Sequence, residues 1–153
     1  MPPRPPGDPE PLSYLDDAAD RAAGALAIQL EVTLTTEAMR RQGLAPHLLS
    51  RGSADAAMYW SAAQIVAHHT SNGCNLQPGD LIGTGTLSTD SAGGLGSLLE
   101  ISSGGEQPIE LGTGEARSFL EDGDEITLRA WCEADGASRI GFGECVGRVV
   151  HGS

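Results

Sequence analysis

"LAIQLEVTL", residues 26–34, alternates without a fault: Leu26, Ile28, Leu30, Val32 and Leu34 fall on one face, and Gln29, Glu31 and Thr33 on the other. A period of two is the mark of a strand with one face against a core. The stretch therefore predicts a strand, and a chain organised around a sheet. Downstream, the pattern repeats in short runs: "GSLLEIS" (96–102), "QPIEL" (107–111), "EARSFL" (115–120), "DEITLRAWCE" (124–133) and "RIGFGECVGRVV" (139–150). Glycine-bearing turns separate them ("SSGGEQ", "LGTGE", "EDGDE", "EADGAS"), as expected of antiparallel connections. "DLIGTGTLS" (80–88) follows the turn at Pro78-Gly79 and also reads as a strand, with small residues at alternate positions.

One segment has a different period. Residues 56–71, "AAMYWSAAQIVAHHTS", contain no glycine or proline, and Met58, Ala62, Ile65, Val66 and His69 recur at spacings of three or four. That predicts a helix with one apolar face, stopped by Asn72-Gly73. Residues 36–52 are polar with weak periodicity and read as loop with helical turns. The expected fold class is α+β: a β-rich mixed sandwich or roll with one main helix. Residues 1–11, dense in proline, read as a connector that runs extended along or off the domain. Residues 12–153 read as the domain itself, with the partner upstream of the connector missing.

Composition narrows the function. The chain has 153 residues, 39% of them apolar, enough for one domain with a core. Its net charge of −12 argues against nucleic acid and anionic membrane surfaces as partners. No apolar run is long enough to span a bilayer, and the start lacks a secretory signal, so a cytoplasmic protein is expected. All nine basic residues are arginines, which excludes Schiff-base chemistry on a lysine of this chain. The three cysteines, Cys74, Cys132 and Cys145, show no CxxC spacing and are expected to be free, buried thiols.

The richest chemistry lies in "AHHTSNGCNLQPGDLIGTGT", residues 67–86. His68 and His69 are adjacent, so on a helix they point about 100° apart and do not share a metal face. Zinc helices place ligands four apart, and Cys74 lies beyond the helix stop. The preferred reading is structural: one histidine buried and bonded to backbone, the other capping the helix end. "GTGT" lacks the third glycine and following helix of a dinucleotide site. Thr84 and Thr86 could face a ligand or pack a β turn, and the residues alone leave both open. Glu100 sits among Leu98, Leu99 and Ile101, and as a strand residue it would share a face with Leu98 and Ser102. A carboxylate there needs a partner or a raised pKa, and such groups are enriched at active sites. An exposed edge-strand glutamate is the equal alternative. No nucleophile–base pair can be assembled within the chain.

Read together, "MYW…Q…AHHT.NGCNL.PGDLIGTGTLS", "GSLLEIS", "PIELG.GEARSFLEDGDE" and "GFGECVGRVV" resemble the C-terminal part of the fumarylacetoacetase family, in collinear order over roughly residues 8–151. "PGDLIGTGT" is shared across the wider superfamily, whereas "HHT.NGCNL" and "GFGECVGRV" are far more specific. The resemblance implies hydrolysis of a carbon–carbon bond in 4-fumarylacetoacetate to fumarate and acetoacetate, in tyrosine and phenylalanine breakdown. It implies that Glu100 orients a catalytic histidine and that Thr86 contacts substrate, while His68, His69, Asn72 and Cys74 are scaffolding. It implies Mg²⁺ or Ca²⁺ and a homodimer in the complete enzyme. The histidine, the metal-binding carboxylates and the oxyanion-stabilising lysine and arginine belong to sequence upstream of the matched region, so no metal ligand is expected in this chain. Gln77 stands where the family usually has arginine, and Leu95 where it has phenylalanine. The chain by itself is then expected to be inactive. The alternatives are a non-catalytic truncated fragment or half of a split enzyme needing an N-terminal partner, and a related hydrolase or decarboxylase of β-diketo acids.

Overall fold

A computed structural model describes residues 6–152 of the chain. The elements in order are α1 (Ala18–Ala23), β1 (Ile28–Thr35), α2 (Glu37–Gln42), β2 (His47–Ser53), α3 (Ala54–Ala57), α4 (Ala62–Thr70), α5 (Leu98–Ile101), β3 (Ile109–Glu110), β4 (Ala116–Arg117), β5 (Glu125–Cys132) and β6 (Ile140–Arg148). The main sheet runs β2-β1-β5-β6, and β3 and β4 form a separate two-stranded ribbon. Every pairing is antiparallel. The fold is α+β, with α4 its longest helix. Among the described residues no helix is long and apolar enough to cross a membrane.

The alternating stretch becomes β1, one of the two inner strands. Its apolar face carries Leu34 into the core with Leu49 and Leu111, and Val32, Leu98, Ile101, Ile109 and Ile126 pack around that centre. The polar face is ordered as well. Glu31 lies opposite Arg51 on β2 and Arg129 on β5, and Arg129 lies opposite Glu144 on β6. Arg129 reaches Glu31 at 3.3 Å and Glu144 at 2.7 Å, while Arg51 donates to the other oxygen of Glu31, with Nε at 3.1 Å. A row of alternating charge thus crosses all four strands, the cross-strand pairing that stabilises sheets. Hydrogen bonds from Arg51, with a smaller contribution from Arg129, outweigh partial burial and hold the Glu31 carboxyl below its ordinary range.

Under the ribbon lies a buried ion pair. Arg117 on β4 points inward and forks onto Asp124, with Nε to Oδ2 at 2.9 Å and Nη2 to Oδ1 at 3.2 Å. Arg117 is 7% exposed and Asp124 1%. Glu115 at 3.1 Å and Glu121 at 3.4 Å complete the set around the guanidinium. The Asp124 hydrogen bond comes first among the causes that raise the Arg117 pKa further, against its burial. Glu115 in turn accepts from Thr36, the residue capping α2, at 2.6 Å. The ribbon is therefore riveted to the end of β1.

Several expectations need correction. Of residues 36–52, read as loop with helical turns, the first part does turn helical as α2, but from His47 the chain is a full strand, β2, in place of loop. Residues 80–88 form no strand, and Leu81 and Ile82 are exposed. Residues 96–102 fold as the single turn α5. Leu98 and Ile101 are three apart and pack together on the core, which is the spacing of a helix face and not of a strand. The predicted helix over 56–71 is broken: α3 ends at Ala57, and α4 starts afresh behind a capping box in which Ser61 and Gln64 bond each other's backbone. Finally, the cysteines are free but not buried. Cys74 and Cys145 are exposed and Cys132 is half-buried, because β6 is exposed along its whole length and Cys74 lies in an exposed stretch after α4.

Residues 1–5 of the expected connector lie outside the described residues. Over 6–11 the chain follows the domain surface: Tyr59 Oη donates to Asp8 at 2.5 Å, and Pro9 and Pro11 line a hollow with Trp60 and Ile65.

Candidate active site

The stretch that follows α4 is held by local pairing. His69 Nε2 meets the Cys74 thiol at 3.2 Å, and Asn72 Oδ1 accepts from the Cys74 amide at 3.1 Å. His68 Nδ1 bonds the Tyr14 hydroxyl at 2.9 Å, and the two rings lie nearly parallel, 6° apart. Both histidines are exposed and bonded to side chains. The expected buried histidine bonded to backbone is therefore not what forms. Their rings serve different partners, as adjacent helix positions require. Among the described residues no group of three or more His, Cys, Asp or Glu is placed to hold a metal ion.

Beyond Gln77, whose amide donates to Asp80 at 2.8 Å, the chain runs irregularly through Gly83, Thr84, Gly85 and Thr86. Gly85 sits at φ +77°, a conformation that favours glycine. This segment divides two hollows. One, of about 490 Å³, lies between Thr84, Gly85 and Leu87 and the sheet residues Leu30, Val32, Leu128 and Phe142. The other, of about 330 Å³, lies between Thr84, Thr86 and Leu87 and the residues Met58, Tyr59, Trp60 and Ile65. Thr86 itself is exposed.

The chain then doubles back. Thr89 N–H donates to Gly94 C=O at 2.9 Å, and the tip is fastened to β2 by Arg51 N–H on Gly93 C=O at 2.9 Å. The returning residues run close against the outgoing ones at Gly96. A Cβ there would lie 2.3 Å from the Leu87 carbonyl oxygen and 2.7 Å from Thr86 Cγ2. Only glycine allows that approach, so it is what brings Thr86 beside the start of α5. Gly96→Ala is expected to cost about 1–3 kcal/mol by overpacking, read as a lowered urea midpoint. An unchanged midpoint would mean that residues 86–88 shift without consequence.

Glu100 sits at the third position of α5, on its outward side, and is exposed. It is not the buried strand carboxylate that the alternating pattern suggested. Its side-chain partners are hydroxyls, and the Ser97 and Gly96 backbone acts on it as well. Ser88 Oγ donates to Oε1 at 2.9 Å and lies 3.0 Å from Oε2, and Ser97 Oγ donates to Oε2 at 2.7 Å. Ser97 also caps α5, accepting from Glu100 N–H. These bonds, Ser97 first and Ser88 second, hold the Glu100 carboxyl below its ordinary range, so it is an anion near neutral pH. Thr86, Ser88, Gly96 and Glu100 are thus brought together. Sequence reasoning missed Ser88 and Ser97. Ser97-x-x-Glu100 is a helix-start pattern that could have exposed the second. Nothing local marks Ser88, which meets Glu100 across twelve residues.

Residues 16–150 match the family model described as fumarylacetoacetate (FAA) hydrolase, C-terminal. The fumarylacetoacetase of Homo sapiens is 42% identical over 148 residues, covering 97% of this chain and 33% of that protein. That of Arabidopsis thaliana is 41% identical over 143 residues, or 94% and 32% of the respective chains. That of Caenorhabditis elegans is 52% identical over 93 residues, 61% of this chain and 22% of that protein. The chain spans about a third of the length of the first two. It belongs to the fumarylacetoacetate hydrolase family, as a C-terminal part.

Proposed function

We propose that the chain is the C-terminal portion of a fumarylacetoacetase, acting with upstream polypeptide to hydrolyse the carbon–carbon bond of 4-fumarylacetoacetate. The reaction belongs to tyrosine and phenylalanine catabolism in the cytoplasm. The observation that carries the reading is the Glu100 carboxylate: ionised, held by two serines and open to the outside. A carboxylate of that kind accepts an imidazole N–H and steadies the charge the ring gains as a general base. The imidazole removes a proton from water while the oxygen bonds to the substrate carbonyl. The carbon–carbon bond then breaks, its electron pair leaves as an enolate, and a proton on carbon completes acetoacetate. Thr86, packed against Gly96 and at the edge of the smaller hollow, is the substrate contact.

On this reading the Mg²⁺ or Ca²⁺ of the complete enzyme takes its ligands from polypeptide upstream, which also supplies the histidine and the cationic donors. The complete enzyme is a homodimer on this reading. A second reading, half of a split enzyme that needs an N-terminal partner, is favoured by β6, which is exposed at all nine residues.

The purified chain is expected to show no hydrolysis of fumarylacetoacetate with added Mg²⁺. A chimera in which it replaces the last third of the human relative is expected to turn over. Glu100-dependent turnover by the chain alone, or a folded chimera without activity, would sink the proposal.

A further inference from the structure

We propose that Ser88 is a positioning residue for Glu100, whose hydroxyl fixes the plane of the carboxylate ahead of an incoming donor. The proposal rests on the reading of Glu100 given above and adds a residue to it. Its basis is the direction of each hydrogen bond. The Gly96 N–H can only donate, and it does so to Ser88 Oγ at 3.0 Å. The Ser88 hydrogen is therefore free to point at Glu100, where both carboxylate oxygens lie within 3.0 Å. A second relay runs in parallel. The Glu100 N–H donates to Ser97 Oγ at 3.3 Å, and Ser97 donates to Oε2 at 2.7 Å.

Both relays begin at a backbone amide and end on the carboxylate. Neither can reverse while Glu100 is ionised, because a carboxylate only accepts. Ser97 comes with the helix cap and acts locally. Ser88 is anchored on a different segment, and the Gly96 contact fixes that segment against α5. It is the one that locks the carboxylate against rotation about its own helix. Of the two serine hydrogens, that of Ser97 goes to Oε2 and that of Ser88 lies between both oxygens, and the Ser97 and Gly96 backbone adds to the hold on the carboxylate. The side chain is exposed, so a further donor can reach it from outside. Fixing the acceptor in advance spares its reorganisation when an imidazole N–H arrives.

The test is a ¹³C-NMR titration of the Glu100 carboxyl in the 153-residue chain, with the amide spectrum as a check on folding. In the parent chain the midpoint is expected below the ordinary glutamate range, held there by the Ser97 and Ser88 hydrogen bonds. Ser88→Ala is expected to move it upward while the other carboxyls keep theirs. Ser88→Thr, which retains the hydroxyl, is expected to restore it. Ser88→Cys, similar in size but a weak donor, is expected to follow alanine and serves if the alanine variant does not fold. An unmoved midpoint in a folded alanine or cysteine variant overturns the clamp, as does a threonine variant that behaves like alanine. The two readings fail separately: an active Glu100→Gln chimera would remove the imidazole role and leave the titration result standing.

Discussion

Replacing Glu100 by glutamine in the active chimera is expected to lower kcat by about 10²–10⁴-fold, the range associated with misplacing a general base, with little change in KM. The substitution keeps size and removes charge. It also reverses half of the hydrogen bonding. A glutamine Nε2 donates where Oε2 now accepts, so the Ser97 hydroxyl must turn its hydrogen away and accept, or the amide must flip. Either way the neutral amide no longer stabilises an imidazolium. Folding is expected to be unaffected, since Glu100 is exposed and the α5 cap is made by the Ser97 hydroxyl with the Glu100 backbone. Stopped-flow or steady-state hydrolysis of fumarylacetoacetate measures the loss. A glutamine variant with unchanged kcat would take Glu100 out of the mechanism.

The second large effect is on stability. Arg117→Ala is expected to destabilise the chain by about 3–5 kcal/mol, because it strands a buried charge. Asp124, 1% exposed, would keep only the Glu121 amide at 2.9 Å among its named donors. Against a total of about 5–15 kcal/mol for a domain, that loss is a large share of the stability. Urea denaturation followed by circular dichroism reads it as a collapsed midpoint. The mechanism is charge stranding rather than lost packing, and a double variant separates the two. Arg117→Met with Asp124→Leu removes both charges and is expected to be more stable than Arg117→Ala alone. A double variant as unstable as the sum of its singles would show that the pair matters through its shape.

What could be read from the sequence follows from how far each signal extends. β1, β5 and β6 were legible because eight or nine residues of alternation outweigh local accidents. β2 was not: "HLLSRGS" places Leu48 and Leu49 side by side and ends in small residues, so it has no clean period. α5 was misread because four residues make barely one turn, and "SLLEIS" reads equally well with a period of two or three. The same oversight carried the helix expected over 56–71 straight through its break. Ser61-x-x-Gln64 and Ser97-x-x-Glu100 both mark helix starts, and both lie inside stretches that looked continuous. At the site, Glu100 was singled out for its apolar neighbours, but of these only Leu98 and Ile101 pack inward, while Leu99 and Glu100 itself face out. Thr86 was singled out through its motif alone. Ser88 was not, since its bond to Glu100 depends on a chain reversal that brings residues 88 and 100 together.

The row of opposite charges from Arg51 through Glu31 and Arg129 to Glu144 also acts as a checksum on how the strands are threaded. Sliding β5 by two residues along β1 would preserve the in-and-out alternation, yet bring Thr127 or Trp131 opposite Glu31 in place of Arg129. Hydrophobic faces alone would tolerate that error. The charges would not, so a mis-threaded sheet is left with unneutralised groups in its middle, and the correct alignment is the one in which the sum comes out even.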